Sequence, residues 1–173
     1  KDRALGDALK KNLIAMASGG FHDQLGGGFH RYSTDEAWII PHFEKMADDN
    51  AWLLRNYADA YSLFGDDFFK KVAENIIFFT RSELSRPDGG FYASMDADVT
   101  PDDEGGYFTW TDEEVRKALT SEEYAVFSLY FMHTRNTMHH DESKFVLSVS
   151  LGVDEIGRRL NLGADIVKER LSE

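Results

Sequence analysis

The sequence predicts an all-α fold built of helical hairpins, with short β-hairpins set into glycine-rich loops. Three observations carry this reading. Apolar residues recur at helical spacing through long segments such as His42 to Phe64. Thr111-x-x-Glu114 and Thr120-x-x-Glu123 are capping boxes that open helices. A Gly-Gly-aromatic step recurs in two matched pairs: Gly19-Gly20-Phe21 with Gly27-Gly28-Phe29, and Gly89-Gly90-Phe91 with Gly105-Gly106-Tyr107. Each pair follows a helix, so each unit reads as helix, glycine-aromatic loop, short hairpin and returning helix. One such hairpin cannot bury its own apolar faces, and copies stack into rings or solenoids.

Taken in order, Asp2 to Ala17 is the first helix, with Leu5, Leu9, Leu13 and Met16 on one face. Ser18, Gly19 and Gly20 stop it. Phe21 to Gly28 is a loop, and Phe29 to Ile40 a hairpin turning through Ser33 to Glu36. Pro41 suits the first turn of a second helix, His42 to Phe64. Its face holds Phe43, Met46, Ala47, Asn50, Leu54, Tyr57, Ala58 and Tyr61. Gly65 closes it, and Asp66 caps a third helix, Asp67 to Leu84, apolar over a broad arc. Tyr57, Tyr61, Phe64, Phe68 and Phe69 form an aromatic core stripe, and Asn50 ties its helix to a neighbouring loop.

Ser85 to Gly90 is a turn, Phe91 to Ala93 is extended, and an acidic stretch runs from Asp96 to Glu104. Gly105 to Trp110 is a second short strand. The two capping boxes then open short helices, the first ending at Leu119. His133 to Ser143 is a loop that leaves His139 and His140 exposed, and Lys144 to Ser150 is extended. Short helices at Asp154 to Leu160 and Ala164 to Leu171 end the chain.

Composition narrows the function. The 19 basic and 31 acidic residues leave a net charge of -12, which repels phosphate backbones and anionic membranes, so neither nucleic acid nor a membrane is an expected partner. No apolar run approaches the roughly 20 residues that span a bilayer. Cysteine is absent, which excludes disulfides, thiolate metal sites and cysteine nucleophiles. A cysteine-free chain is compatible with the cytosol, and a cytoplasmic location is expected. The opening on Lys1 reads as a segment of a longer polypeptide.

The run Gly19-Gly20-Phe21-His22-Asp23-Gln24-Leu25-Gly26-Gly27-Gly28-Phe29-His30-Arg31-Tyr32-Ser33 resembles the spermatogenesis-associated protein 20 family. So do Trp38-Ile39-Ile40-Pro41-His42-Phe43-Glu44-Lys45-Met46, continuing to Asp49-Asn50, and the block Gly89 to Asp98 followed by Gly106 to Thr111. The resemblance implies one part, roughly half, of an (α/α)6 toroid, similar to N-acylglucosamine 2-epimerases and six-hairpin glycosidases. Members of that family also carry a thioredoxin-like domain, whose redox motif this chain lacks. Ala47-Asp48 departs from the family, which usually has a leucine-tyrosine pair there. By analogy of fold the resemblance implies a sugar-related role. The expected domain is therefore a single partial toroid spanning residues 1–173, whose partners are the rest of the same polypeptide, a sugar ligand and, for the isolated chain, further copies of itself.

The densest chemistry lies in His22, Asp23, His30, Arg31, Tyr32, Asp35, His42 and Glu44. Histidine and carboxylate can move protons, and Arg31 can fork onto a carboxylate or an anomeric oxygen. Phe29, Tyr32, Trp38 and Trp110 are the aromatics expected to contact a sugar. Asp96 and Asp98 are a candidate carboxylate pair for glycoside chemistry, against the competing readings of the acidic loop as plainly solvated, which is favoured, or as holding calcium, whose EF-hand spacing it lacks. The histidines favour an isomerase or epimerase, and the aspartates a hydrolase. The competing reading is that these groups cap loops in a non-catalytic scaffold. His22, His30 and His42 do not follow zinc-ligand spacing, so neither metal nor other cofactor is expected. Convergence of His22, Arg31, His42 and Asp96 on one concave wall favours an enzyme; dispersal among separate loops favours a scaffold.

Overall fold

A computed structural model describes residues 3–100, 103–138 and 141–172. The chain is mostly helical, with seven α-helices and three two-stranded sheets among the described residues. It divides into two compact units, Lys1–Phe108 and Thr109–Glu173.

In the first unit, α1 (Arg3–Ser18), α2 (Ala47–Phe64) and α3 (Asp67–Phe79) supply the helices. Gly65 ends α2 in the left-handed conformation (φ 64°) and its N–H donates to the Tyr61 carbonyl, as the sequence predicts. The Asp66 carboxylate accepts from the Phe68 N–H and starts α3. The core gathers Leu13, Ala17, Phe21, Phe29, Tyr57, Phe69 and Ile76. Tyr57 is fully buried, and its hydroxyl donates to the Leu13 carbonyl at 2.8 Å, joining α2 to α1.

Several expectations give way. The second helix starts at Ala47, five residues later than its periodicity suggests. Residues 41–46 are instead extended: β1 (Tyr32–Ser33) pairs antiparallel with β2 (Pro41–His42), and β3 (Lys45–Met46) with β4 (Ser94–Met95). Pro41 lies in a strand rather than a helical first turn. The hairpin is displaced accordingly, with Tyr32 opposite His42. The helix face also rotates: Asn50, Tyr57 and Ala60 are buried, whereas Ala58 and Tyr61 are exposed. On α1 only the C-terminal half meets the core, leaving Leu5 and Leu9 68% and 44% exposed. The third helix loses α geometry after Phe79 and finishes in a widened π-helical turn, Thr80–Leu84.

The two glycine loops use one device. A Cβ on Gly28 would lie 2.4 Å from the Phe79 ring, and one on Gly105 would lie 2.4 Å from the Phe43 ring. Both glycines also have positive φ, at 71° and 77°. Each glycine thus lets an aromatic ring close against backbone.

In the second unit, β5 (Thr109–Thr111) pairs with β6 (Lys144–Val146). The second short strand is therefore shorter than expected, because 105–108 forms a turn. Both capping boxes form, opening α4 (Asp112–Ala118) and α5 (Ser121–Phe127). A π-helical turn, Ser128–Met132, extends α5, and α6 (Val153–Leu160) and α7 (Ala164–Arg170) follow. Val126, Ile156 and Val167 form one core cluster, and Val115, Met132, Phe145 and Leu147 another. His139 and His140 lie outside the described residues. No helix among the described residues is long and apolar enough to cross a membrane.

Candidate functional site

The motif Pro41-His42-Phe43-Glu44-Lys45-Met46 alternates strictly between buried and half-buried residues. That period of two is what an extended segment with one face on the core requires. Pro41, Phe43 and Lys45 point inward; His42, Glu44 and Met46 point outward. The site therefore has two layers.

The inner layer is closed and charged. Lys45, 1% exposed, donates from Nζ to Asp23 Oδ2 at 2.7 Å and to the Gly27 carbonyl at 2.8 Å. Its ammonium lies 4.4 Å from the centroid of the Phe79 ring and 5.0 Å from that of Phe108. Asp23 Oδ1 accepts from the N–H groups of Leu25 and Gly26, so one carboxylate ties the glycine loop together and to β3. His30 Nδ1 donates to the Phe43 carbonyl at 2.7 Å, and its ring stands edge-on to Phe43 and Phe108. Asn50 accepts from the Phe29 N–H and donates to the Phe29 and Met46 carbonyls, which is the loop tie expected of it. The His22 ring packs 4.8 Å from Phe29, and both its nitrogens are buried without a hydrogen-bond partner.

Electrostatics follow from burial. Burial, reinforced by the Lys45 charge and opposed by Asp23, depresses His22 to about 4. Burial and then the Lys45 ammonium depress His30 to about 3. Burial pulls the Asp23 carboxyl up, but Lys45 and the Gly26 N–H outweigh it and hold it below the usual carboxylate range. Burial also draws Lys45 below its ordinary value against the pull of Asp23. Both histidines are consequently neutral at physiological pH.

The outer layer is a polar row open to solvent. Arg31 Nη1 donates to Glu44 Oε2 at 2.9 Å. His42 Nε2 stands 3.6 Å from Glu104 Oε1, and the Tyr32 ring lies 5.1 Å from the His42 ring. His42 Nδ1 is buried and unpartnered. Asp49, at the start of α2, is raised by partial burial and by Asp48, with Arg31 acting against the shift.

The sequence-predicted residues therefore separate. Arg31, Tyr32, His42 and Glu44 stand in the outer row; His22, Asp23 and His30 belong to the inner layer. Phe29 is fully buried and stacks on Tyr57 at 5.4 Å, so its faces are covered by protein rather than open to a sugar. Trp38, with a left-handed backbone (φ 64°), packs on Phe21 and lines a groove between α1 and α2 instead. Asp96 and Asp98 are exposed and joined by a turn-local bond, the Asp98 N–H donating to Asp96 Oδ1. Trp110 belongs to the second unit, packed beside Val115, Met132 and Phe145. Asp35 accepts from the N–H groups of Ala37, Ile39 and Ile40, a loop-capping role. Sequence reasoning missed Lys45 and Glu104. No signal in the sequence marks Lys45, because a lysine at the inward position masks the period-two alternation through residues 41–46, and Glu104 resembles any residue of an acidic loop.

These features define a mostly helical chain whose glycine-rich loops carry a polar row on a buried ion pair. No family model matches the chain. Human spermatogenesis-associated protein 20 is 47% identical over 112 residues, 62% of this chain and 14% of the human protein. The mouse protein of the same name matches with the same identity and coverage. The uncharacterized protein B0495.5 of Caenorhabditis elegans is 41% identical over 130 residues, 70% of this chain and 18% of that protein. The matches support the spermatogenesis-associated protein 20 family, and the aligned part of the chain spans about one seventh of the human and mouse proteins (14%).

Proposed function

We propose that this chain forms part of an (α/α)6 toroid in the cytoplasm and presents a sugar-binding wall at its loop end, with Arg31, Tyr32, His42 and Glu44 as the contacting residues. The observation that carries the reading is the outer row itself. An aromatic face, a guanidinium–carboxylate pair and an imidazole beside a second carboxylate stand side by side on a short, braced strand pair. A polyhydroxylated ring needs that combination of apolar face and directional hydrogen bonds. In an isomerase or epimerase, His42 with Glu104 would move the proton and Arg31 would hold the oxygen that gains charge. His22, Asp23 and His30 then act as support rather than as proton carriers, and Asp96 and Asp98, the latter bridged through its backbone to Glu104, are the candidate pair for hydrolysis.

A thermal-shift screen of monosaccharides, amino sugars and short glucans tests the reading, because a ligand of the folded state raises the melting temperature. One sugar class is expected to raise it, and Arg31→Ala or His42→Ala to remove the rise while leaving the ligand-free melt nearly unchanged. A rise unaffected by both substitutions, or none at millimolar sugar, rejects it.

A second reading, a protein-interaction scaffold, is favoured by the separation of His22, buried in the inner layer, from Arg31 and His42 in the outer row and from Asp96 in an exposed turn, and by one further observation. A groove of about 550 Å³ between α1 and α2 is lined by Leu9, Leu13, Met16, Trp38 and Leu63. Leu5 and Trp52, 68% and 64% exposed, add apolar surface on the same two helices. The remaining hairpins of a toroid, or a second copy of the chain, would cover such a face.

A further inference from the structure

The second unit carries a shallow cavity of about 250 Å³, open to solvent and with His133 and Arg135 exposed, that the sugar reading does not use. Its polar lining is Tyr124, Ser128, His133 and Arg135; Met132 and Phe145 give it an apolar floor. We propose that this cavity binds a small organic oxyanion, a carboxylate or phosphomonoester, whose charged group meets Arg135.

Three features converge on Arg135. Its guanidinium lies over the Phe145 ring, 6.0 Å from the centroid, at the cavity floor. Among the described residues no carboxylate lies within ion-pair distance of it, in a chain whose net charge is -12. Asp112, which feels its charge, is already bonded to Arg116 and to the Tyr124 hydroxyl. The Arg135 backbone is also left-handed, with φ 52°, a conformation that costs a non-glycine residue energy and that clusters at ligand sites. The turn is held by the Arg135 N–H donating to the Met132 carbonyl at 3.0 Å.

The surroundings suit an anion. Arg159 Nη1 donates to His133 Nε2 at 3.2 Å. Arg158 and Arg159 both pair with one carboxylate, Glu155. A planar guanidinium takes carboxylate or phosphate oxygens in pairs, and Arg135 alone carries the recognition, because the Tyr124 hydroxyl donates to Asp112 and the Ser128 hydroxyl to the Ala125 carbonyl. The volume falls below the roughly 300–1,000 Å³ of drug-sized sites, which limits the ligand to a small one. The inference is independent of the sugar reading and concerns the other unit.

The test is a thermal-shift titration of the whole chain at low salt with phenyl phosphate, benzoate and inorganic phosphate, against sodium chloride at matched ionic strength. Phenyl phosphate or benzoate is expected to raise the melting temperature beyond the chloride control, and the stronger of the two identifies the oxyanion. Arg135→Gly relieves the left-handed backbone while deleting the guanidinium. It should melt no lower than the parent without ligand, yet lose the ligand-induced rise. Arg135→Lys should keep part of it. NMR of the unsubstituted chain supplies a check free of folding effects: phenyl phosphate should move the Tyr124, Phe145 and Arg135 signals. No rise beyond chloride with any probe, a rise that survives in Arg135→Gly, or signals that move only elsewhere would overturn the proposal.

Discussion

The residue that most constrains the first unit is Lys45, since a lysine in the core is tolerated only with its charge answered. Asp23, the Gly27 carbonyl and the Phe79 ring answer it. Removing one partner strands the other. Lys45→Met leaves Asp23 charged and half-enclosed, and a loss of about 3–5 kcal/mol in urea unfolding is expected. His22 makes the opposite prediction. Its nitrogens are buried and unpartnered, so His22→Phe should stabilise by about 1–3 kcal/mol, the cost of an unmet polar group. His22 and His30 also set an acid limit. Both are depressed when folded, so the unfolded chain takes up their protons first, and stability present above pH 6.5 is lost as pH falls toward about 4 for His22 and about 3 for His30. Within that window each histidine contributes a slope of about 1.4 kcal/mol per pH unit, and His22→Phe should flatten the slope by one histidine's share. Urea melts between pH 7.5 and 4.5 measure both effects. None of this was legible at the residue level, because Lys in a sequence reads as surface and a histidine's burial depends on contacts distant along the chain.

Among the elements, those governed by local chemistry were legible. Gly65, Asp66 and the two threonine capping boxes mark helix ends through bonds spanning a few residues, and each appears where the sequence places it. Thr111→Ala should therefore cost about 1 kcal/mol, read from thermal unfolding of the second unit. The segment 41–46 was illegible for a definite reason. Phe43, Met46, Ala47 and Asn50 fall at helical spacing, and the period-two alternation is masked by Lys45 at an inward position. What holds these residues extended is pairing with Tyr32–Ser33 and Ser94–Met95, partners fixed by tertiary structure. The glycine loops show the same division. Sequence shows where the glycines recur; only the fold shows that Phe79 and Phe43 occupy the space beside them. Gly28→Ala combines a 2.4 Å clash with the Phe79 ring and a left-handed backbone, and a loss of at least about 2 kcal/mol is expected, whereas exposed Gly89→Ala meets no side chain.

For the whole molecule, the mostly helical class and the related family were both readable, because long apolar periodicity and a fifteen-residue glycine-rich motif survive without knowledge of packing. The sorting of candidate site residues into an inner and an outer layer was not, since it depends on the alternation through residues 41–46. The apolar groove between α1 and α2 bears on assembly. Sedimentation of the chain at tens of micromolar is expected to show species larger than a monomer, and Leu9→Lys with Leu63→Lys to return it to monomer; a monomeric parent chain would remove the basis for the scaffold reading. The most direct test of the two-layer account is side-chain NMR of the histidines and arginines with and without the sugar that scores in the thermal screen. Movement of His42 and Arg31, with His22 and His30 unmoved and still neutral at pH 5.5, is the predicted result. Sugar-induced change at His22 or His30 with His42 and Arg31 silent would contradict it.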